Sequence, residues 1–456
     1  MKRLIFVLFV VLTVFVSCNR SSQNRGKGPV SKVAHPEWIR NANIYEVNLR
    51  QFTNEGNISS FIKHLPRLRN MGVDVLWFMP IHPIGELKRK GALGSYYSVQ
   101  DYKLVNSEFG VIEEFQMMVK LAHELGMYVI IDWVANHTAW DHEWVTKHPD
   151  WYAKNSSGEM YSPHDWTDVV QLDYSNQELR QAMLDAMAFW VREADIDGFR
   201  CDVADLVPLD FWEQAREELE EIKPLFMLAE SDKEPLLINA FDMDYGWKLH
   251  HIANKIAIKE ADANSIQRYF DGLENSFPKG AIRMNFTSNH DENSWNGTEF
   301  ERLNDGAEAF FVLMATVPGM PLIYTGQEAA LKKRLSFFDH DPVDWSDVPL
   351  TSFYRTLLNL KKRNSALWNG NWGAPLKRVF TNNDKAVYAF TRSMDNDAVM
   401  VILNLTESEQ QVQFQSEDHI AEYVNVFTNQ TLVMEKDMQM TLKPWEYIVL
   451  EKTEKK

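Results

Sequence analysis

The sequence predicts an α/β fold: a closed (β/α)8 barrel of the TIM type, followed by an antiparallel β-sandwich domain. Three observations point there. From Asn43 onward, short apolar runs alternate with amphipathic stretches of helical period, the pattern of parallel β/α units. Eight apolar runs occur, the number that closes a barrel. After about Trp368 the helical period stops and only period-two alternation remains, broken by turn residues. A chain of 456 residues accommodates both parts, since such barrels take about 250 to 400 residues.

At the N-terminus, Met1-Lys2-Arg3 is positive, residues 4–16 are almost wholly apolar, and Ser17-Cys18 ends the run. An apolar stretch shorter than the roughly 20 residues of a spanning helix reads as a signal peptide, here 1–18. Phe15-Val16-Ser17-Cys18 resembles a bacterial lipoprotein box with Cys18 as the lipidated residue. Phe is unusual at its first position, and a plain secretory signal cut nearby is the alternative. The expectation is an exported lipoprotein anchored to a membrane through Cys18. No Asp/Glu cluster follows the cysteine, which favours the periplasmic side over the cell surface. Residues 19–34 are polar and aperiodic, and read as a flexible tether. Cys201 is the second of only two cysteines, so no intrachain disulfide forms if Cys18 carries lipid. Its place in an apolar strand predicts an inert, buried thiol.

The barrel is assigned to 35–368, with strands at 44–49, 73–79, 128–132, 198–202, 226–229, 240–243, 283–288 and 322–324. Between them, Phe115, Met118, Val119 and Ala122 share one face of a helix over 112–125. Leu179, Met183, Met187, Trp190 and Val191 do the same over 178–194. These stripes are core. An insertion at 138–172 separates the third strand from its helix and holds Trp140, Trp144, Trp151, Tyr161 and Trp166; a loop that long in a compact domain is usually functional. The C-terminal domain, 369–456, shows strands at 386–391, 398–405, 411–414 and 447–451.

Several apolar runs end in acids. In Gly198-Phe199-Arg200-Cys201-Asp202, period-two alternation points Arg200 and Asp202 to one face, and a guanidinium beside a carboxylate holds it ionised. Taken alone this is as well read as a structural salt bridge. Glu230 closes the run from Leu225, and Asn289-His290-Asp291 closes the run from Arg283. All three acids fall at C-terminal strand ends, where barrel active sites lie.

These motifs together, with Asp132-Trp133-Val134-Ala135-Asn136-His137, Gln171 to Asn176 and Gly319 to Glu328, resemble the α-amylase family of glycoside hydrolases (family 13). The resemblance runs from about residue 36 to the C-terminus. It implies Asp202 as nucleophile, Glu230 as general acid/base and Asp291 as the third acid, with retention through a covalent intermediate. It also implies that His137 and His290 bind sugar hydroxyls, that Tyr97 is a stacking platform, and that 138–172 is a short domain B. Arg200 is expected to stabilise the ionised form of Asp202 only, leaving Glu230 protonated. Arg334 on the eighth loop is a further candidate. Many members bind calcium between barrel and domain B through a histidine four residues after the nucleophile and an asparagine before the third-strand histidine. Asn136 is present here, but the former position is Leu206, which cannot ligate a hard cation. No metal site is assigned and no cofactor is expected to be required; calcium binding is in doubt.

A net charge of −17 without a basic stripe argues against nucleic acid and acidic substrates. Fifteen Trp and fifteen Tyr exceed what a core requires and suit sugar-ring stacking, although most are core. The leading reading is a retaining hydrolase of α-1,4-glucans. The alternatives are a transglycosylase or a neopullulanase- or cyclomaltodextrinase-like enzyme on the same scaffold and, more remotely, an inactive glucan-binding lipoprotein. Bond preference, chain-length preference and oligomeric state are not readable from the sequence.

Overall fold

A computed structural model describes residues 28–417 and 419–452; the predicted signal peptide, Cys18 and most of the predicted tether lie outside the described residues. Eight strands close a parallel barrel in sequential order: β1 (Ile44–Val47), β2 (Val75–Phe78), β3 (Tyr128–Trp133), β4 (Gly198–Cys201), β5 (Phe226–Ala229), β6 (Met243–Tyr245), β7 (Ile282–Asn285) and β8 (Met320–Tyr324). Alternation sorts their side chains. Ile44, Trp77, Ile130, Leu228, Met284 and Leu322 fill the lumen, while Tyr45, Leu76, Phe199 and Met227 meet the helical ring. The two helical stripes are buried as expected, on Ile112–Glu124 and Gln177–Ala194. The second helix starts at Asn176, whose side chain accepts hydrogen bonds from the Glu178 and Leu179 N–H groups.

The strand boundaries differ from the sequence expectation in local ways. β1 stops at Val47 because the helix Leu49–Phe52 begins at once. β6 is Met243–Tyr245 rather than 240–243, because Ala240 caps the helix Leu236–Asn239. Asp242, just before β6, is held by Arg216 and by the Met227 N–H. β7 starts at Ile282 and ends at Asn285, and β8 extends back to Met320.

The insertion is built on a two-stranded ribbon, His137–Ala139 with Val169–Gln171, and carries the short helix Glu143–Lys147. The C-terminal domain is antiparallel. β9 (Lys377–Val379), β10 (Val387–Met394), β11 (Asp397–Asn404), β13 (Ala421–Asn425), β14 (Thr431–Met434) and β16 (Tyr447–Lys452) form one sheet in the order β9-β10-β11-β16-β13-β14. A ribbon of β12 (Gln410–Gln413) and β15 (Gln439–Leu442) packs against it through Val412 and Leu442. The sequence did not predict β9, β13, β14 or β15. Buried Arg392 on β10 joins the domains by donating to the carbonyls of Thr316, Trp368 and Ala374.

Residues 28–34, which composition assigns to a flexible tether, are bound to the N-terminal end of the barrel. The Ser31 N–H donates to Lys279 O, the Lys279 N–H to Pro29 O and the Lys32 N–H to Ile238 O. His35 follows, between the Asp242 carboxylate and Gly280 O. Composition does not register such backbone pairing, which is why a polar stretch read as a free linker. No helix among the described residues is long and apolar enough to cross a membrane.

Candidate active site

Above the apolar filling of the lumen, the same inward alternation delivers Glu46, Asp132, Arg200, Asp202 and Glu230 to the C-terminal mouth of the barrel. Arg200 is the hub. Its fully buried guanidinium donates through Nη1 to Asp132 Oδ1 at 2.8 Å and to Asp202 Oδ1 at 3.0 Å, and through Nε to the Tyr245 hydroxyl at 3.0 Å. Nη2 lies 2.9 Å from Glu230 Oε2. The rings of Trp77, Tyr97 and Tyr245 lie 5.1, 5.7 and 5.7 Å from its central carbon.

Arg200 therefore does not serve Asp202 alone, as the sequence suggested; it contacts three carboxyls. Burial and the facing Glu230 carboxyl raise the Asp202 pKa well above its ordinary value, with Arg200 opposing them. The expected depression of Asp202 is reversed because its acidic neighbours and its burial outweigh one shared cation. Glu230 Oε2 accepts the Val203 N–H at 2.8 Å, while its carboxyl is 14% exposed. Val203 adopts φ 36° and ψ 48°, a left-handed conformation unfavourable for a β-branched residue. That turn directs the N–H following Asp202 at Glu230.

A second network adjoins the first. His290 Nδ1 lies 2.5 Å from buried Glu46 Oε1, and its Nε2 lies 2.8 Å from the Tyr97 hydroxyl and 3.4 Å from Asp291 Oδ2. Burial lowers the His290 pKa, but Asp291 and Glu46 together bring it up to about 9. Tyr97 donates to Asp132 Oδ2 at 3.0 Å and stacks on the His290 ring at 5.4 Å and on Phe337 at 6.2 Å. His137 is held neutral, its pKa pushed down to about 3 by burial.

Tyr97, His137, Asp202, Glu230, His290 and Asp291 line one half-enclosed cleft of about 400 Å³, and buried Arg200 lies beneath it. Glu46 was missed because one acid in an apolar strand carries no spacing signal. Asp132 was quoted in a motif without a role. Arg334 does not reach the cleft; it makes a two-pronged surface pair with Glu301. Cys201 is buried, and burial pushes its thiol well above the usual range, as an inert side chain requires.

The residues at the junction of barrel and insertion do not fit a calcium site. Asn136 Oδ1 accepts from Gln171 Nε2 at 2.9 Å, and Asn136 Nδ2 donates back to Gln171 Oε1 at 3.3 Å. The oxygen a hard cation would need is thus engaged, and Leu206 is apolar and 44% exposed.

Residues 20–165 and 146–399 match the α-amylase catalytic-domain model. The chain belongs to the α-amylase family. Residues 378–449 match the maltogenic amylase C-terminal domain. α-Amylase MalA of Haloarcula japonica is 29% identical over 392 residues, covering 81% of this chain and 56% of that protein, so the chain spans little more than half of that relative. The maltogenic α-amylase of Bacillus acidopullulyticus is 24% identical over 472 residues, covering 91% and 78% of the two chains. Among solved structures, the noncanonic maltogenic α-amylase AmyB of Thermotoga neapolitana superposes with a TM-score of 0.83 at 30% identity, over 91% of this chain and 99% of its own. The α-amylase-family fold accounts for both the barrel and the C-terminal sheet.

Proposed function

We propose that the protein is a retaining hydrolase of α-1,4-glucosidic bonds in starch or maltodextrins, acting through a glycosyl ester on Asp202. The observation that carries this is the single guanidinium of Arg200 bridging Asp202 and Glu230. It fits the close carboxyl pair of retaining enzymes, about 5 to 5.5 Å apart, better than the wider inverting arrangement. In this reading Asp202, which accepts from Arg200 through Oδ1, is the nucleophile, and Glu230, which accepts the Val203 N–H through Oε2, carries the transferable proton on Oε1.

In this reading the Asp202 carboxylate attacks the anomeric carbon as Glu230 gives its proton to the departing glycosidic oxygen. The Glu230 carboxylate then takes a proton from water, whose oxygen displaces Asp202 and restores the α configuration. Charged His290 and Asp291 hold hydroxyls of the reacting sugar, neutral His137 holds another, and Tyr97 supports the ring face. Arg200 remains charged throughout.

The match to a maltogenic amylase C-terminal domain favours, as a second reading, a maltogenic or cyclodextrin-cleaving specificity on the same chemistry, with transfer to sugar acceptors included. NMR of the first products from maltoheptaose tests the mechanism: the α-anomer is expected, and initial β-anomer overturns it. Product profiles on starch, pullulan and cyclodextrins separate the specificities. We also infer attachment to a membrane through lipid on Cys18, on the motif that ends at that residue.

A further inference from the structure

One loop outside the catalytic set is tied on two sides of the cleft. It follows β2, runs over residues 84–94 and contains no regular secondary structure apart from a bridge at Ile84. Towards the insertion, Lys88 Nζ sits 3.4 Å from the centre of the Trp140 ring, and the Glu86 N–H donates to Asp141 Oδ2 at 2.8 Å. Lys90 Nζ lies 3.1 Å from Asp168 Oδ1 and donates to Asp165 O at 3.3 Å. In the other direction, the Leu93 N–H donates to Phe338 O at 2.9 Å. Buried Arg50 donates to Leu93 O, Gly94 O and Phe337 O, joining this loop to the one after β8. Gly91, at φ 65°, lies where a Cβ would come 2.4 Å from the Phe338 Cβ, so the two loops meet without a gap.

The result is a continuous wall from the insertion to the β8 loop, and Lys90, Asp168, Phe337 and Phe338 from it line the cleft. Strand order says which end the wall closes. Around the barrel, β8, β1 and β2 stand opposite β4, β5 and β6. Glu230 follows β5 and addresses the leaving group, so the wall bounds the other side, where the glycosyl unit held by Asp202 extends. The Phe337 ring continues the stack that begins with His290 and Tyr97, extending the apolar surface under that unit. A cleft of about 400 Å³ is near the small end of ligand sites, roughly 300 to 1,000 Å³.

We propose that the Lys90–Asp168 pair is the stop at the glycone end of the cleft and limits the transferred unit to a mono- or disaccharide. The Asp168 carboxylate is only 5% exposed and fixes a lysine whose head is 35% exposed to the opening. The ammonium thus faces the end of the bound sugar, where it donates hydrogen bonds to terminal hydroxyls and blocks a longer chain. This rests on the proposed hydrolase function and on the roles of Asp202 and Glu230.

The experiment uses maltoheptaose labelled at its reducing end, with the protein and its Lys90→Ala, Lys90→Arg and Lys88→Ala variants, each checked for an unchanged melting temperature. The protein is expected to release glucose or maltose from the unlabelled end, leaving labelled hexaose or pentaose first. Lys90→Ala should raise the share of longer unlabelled fragments at least fivefold. Lys90→Arg should keep the parent pattern, as should Lys88→Ala, whose side chain ties the loop without lining the cleft. An unmoved pattern in Lys90→Ala, or internal cleavage by the parent, overturns the inference while leaving the hydrolase reading intact. No cleavage of any α-glucan by the parent overturns both.

Discussion

Replacing Glu46 by glutamine removes one charge without emptying space, and its effect should be read at His290. The imidazole is held at about 9, some 2.5 pH units above the ordinary value of 6.5, a difference of about 3 kcal/mol at roughly 1.4 kcal/mol per unit. Three groups act on it against burial or with it: Asp291 and Glu46 raise it, and Arg200 lowers it. Asp291 is 37% exposed and partly screened, so the fully buried Glu46 is the neighbour whose loss burial will not forgive. In the Glu46→Gln variant the His290 pKa should fall from about 9, and the ring should lose its charge at pH 8. A hydroxyl held by an ionised donor gains about 1.5 kcal/mol or more over one held by a neutral donor. Hence kcat/KM at pH 8 should drop at least about tenfold, while the loss at pH 6 stays small. The assay is the pH profile of kcat/KM on maltoheptaose, alongside NMR titration of the histidine rings. The sign is fixed: a raised histidine value gives its full stabilisation below pH 6.5 and loses it as pH rises through 9. An alkaline limb unmoved by the substitution, with His290 still protonated at pH 8, would refute the reasoning.

Asp202→Asn should cut turnover roughly 10⁴-fold or more, since an amide forms no glycosyl ester, and circular dichroism should show the fold retained. Glu230→Gln should be nearly as severe on glucans yet keep activity on α-glucosyl fluoride, whose leaving group needs no proton; equal loss on both would remove Glu230 from the acid role. Because the Asn136 oxygen is engaged by Gln171, chelation with EDTA should leave activity and Tm nearly unchanged, and a loss restored by calcium would contradict this. His82, His137 and His142 are buried and held down to about 4, 3 and 4, so the folded state binds fewer protons than the unfolded one as pH falls below 6.5. Tm should therefore decline from pH 6.5 towards 4, and His82→Gln should flatten the decline in a calorimetric series. Cys18→Ala should move the protein out of the membrane fraction or leave it unprocessed, with kcat unchanged; a parent protein with a free N-terminal amine in the soluble fraction would end the lipid assignment.

The barrel was legible because its strands are buried on both faces and read as apolar runs, and because acids ending those runs stand out against them. Asp202, Glu230 and Asp291 stood out this way as candidates, and the resemblance then implied roles for them. Arg200 was legible as a partner of Asp202 through two-residue spacing, but its contacts to Asp132 and Glu230 cross strands and leave no mark along the chain. Glu46 was invisible for the same reason, since its partner His290 lies 244 residues away. In the C-terminal domain, β14 and β15 have only one buried residue each, so residues such as Gln439 and Thr441 dilute the alternation. The 240–243 assignment failed because Ala240 and Phe241 are apolar for a helix end rather than for a strand.

The stretch of residues 29–32 paired with Ile238 and Lys279 has a mechanical meaning if Cys18 is acylated. Residues 19–27 can span no more than about 30 Å, so the barrel floor would face the bilayer and the sugar-binding mouth would point outward. Tension on the anchor would then be taken as shear across the backbone bonds to Lys279 and Ile238 and by the clasp of His35 on Asp242. The carboxyl cluster sits at the opposite end of the strands from that load path. A glucan too long to pass beneath the enzyme would still meet an open mouth.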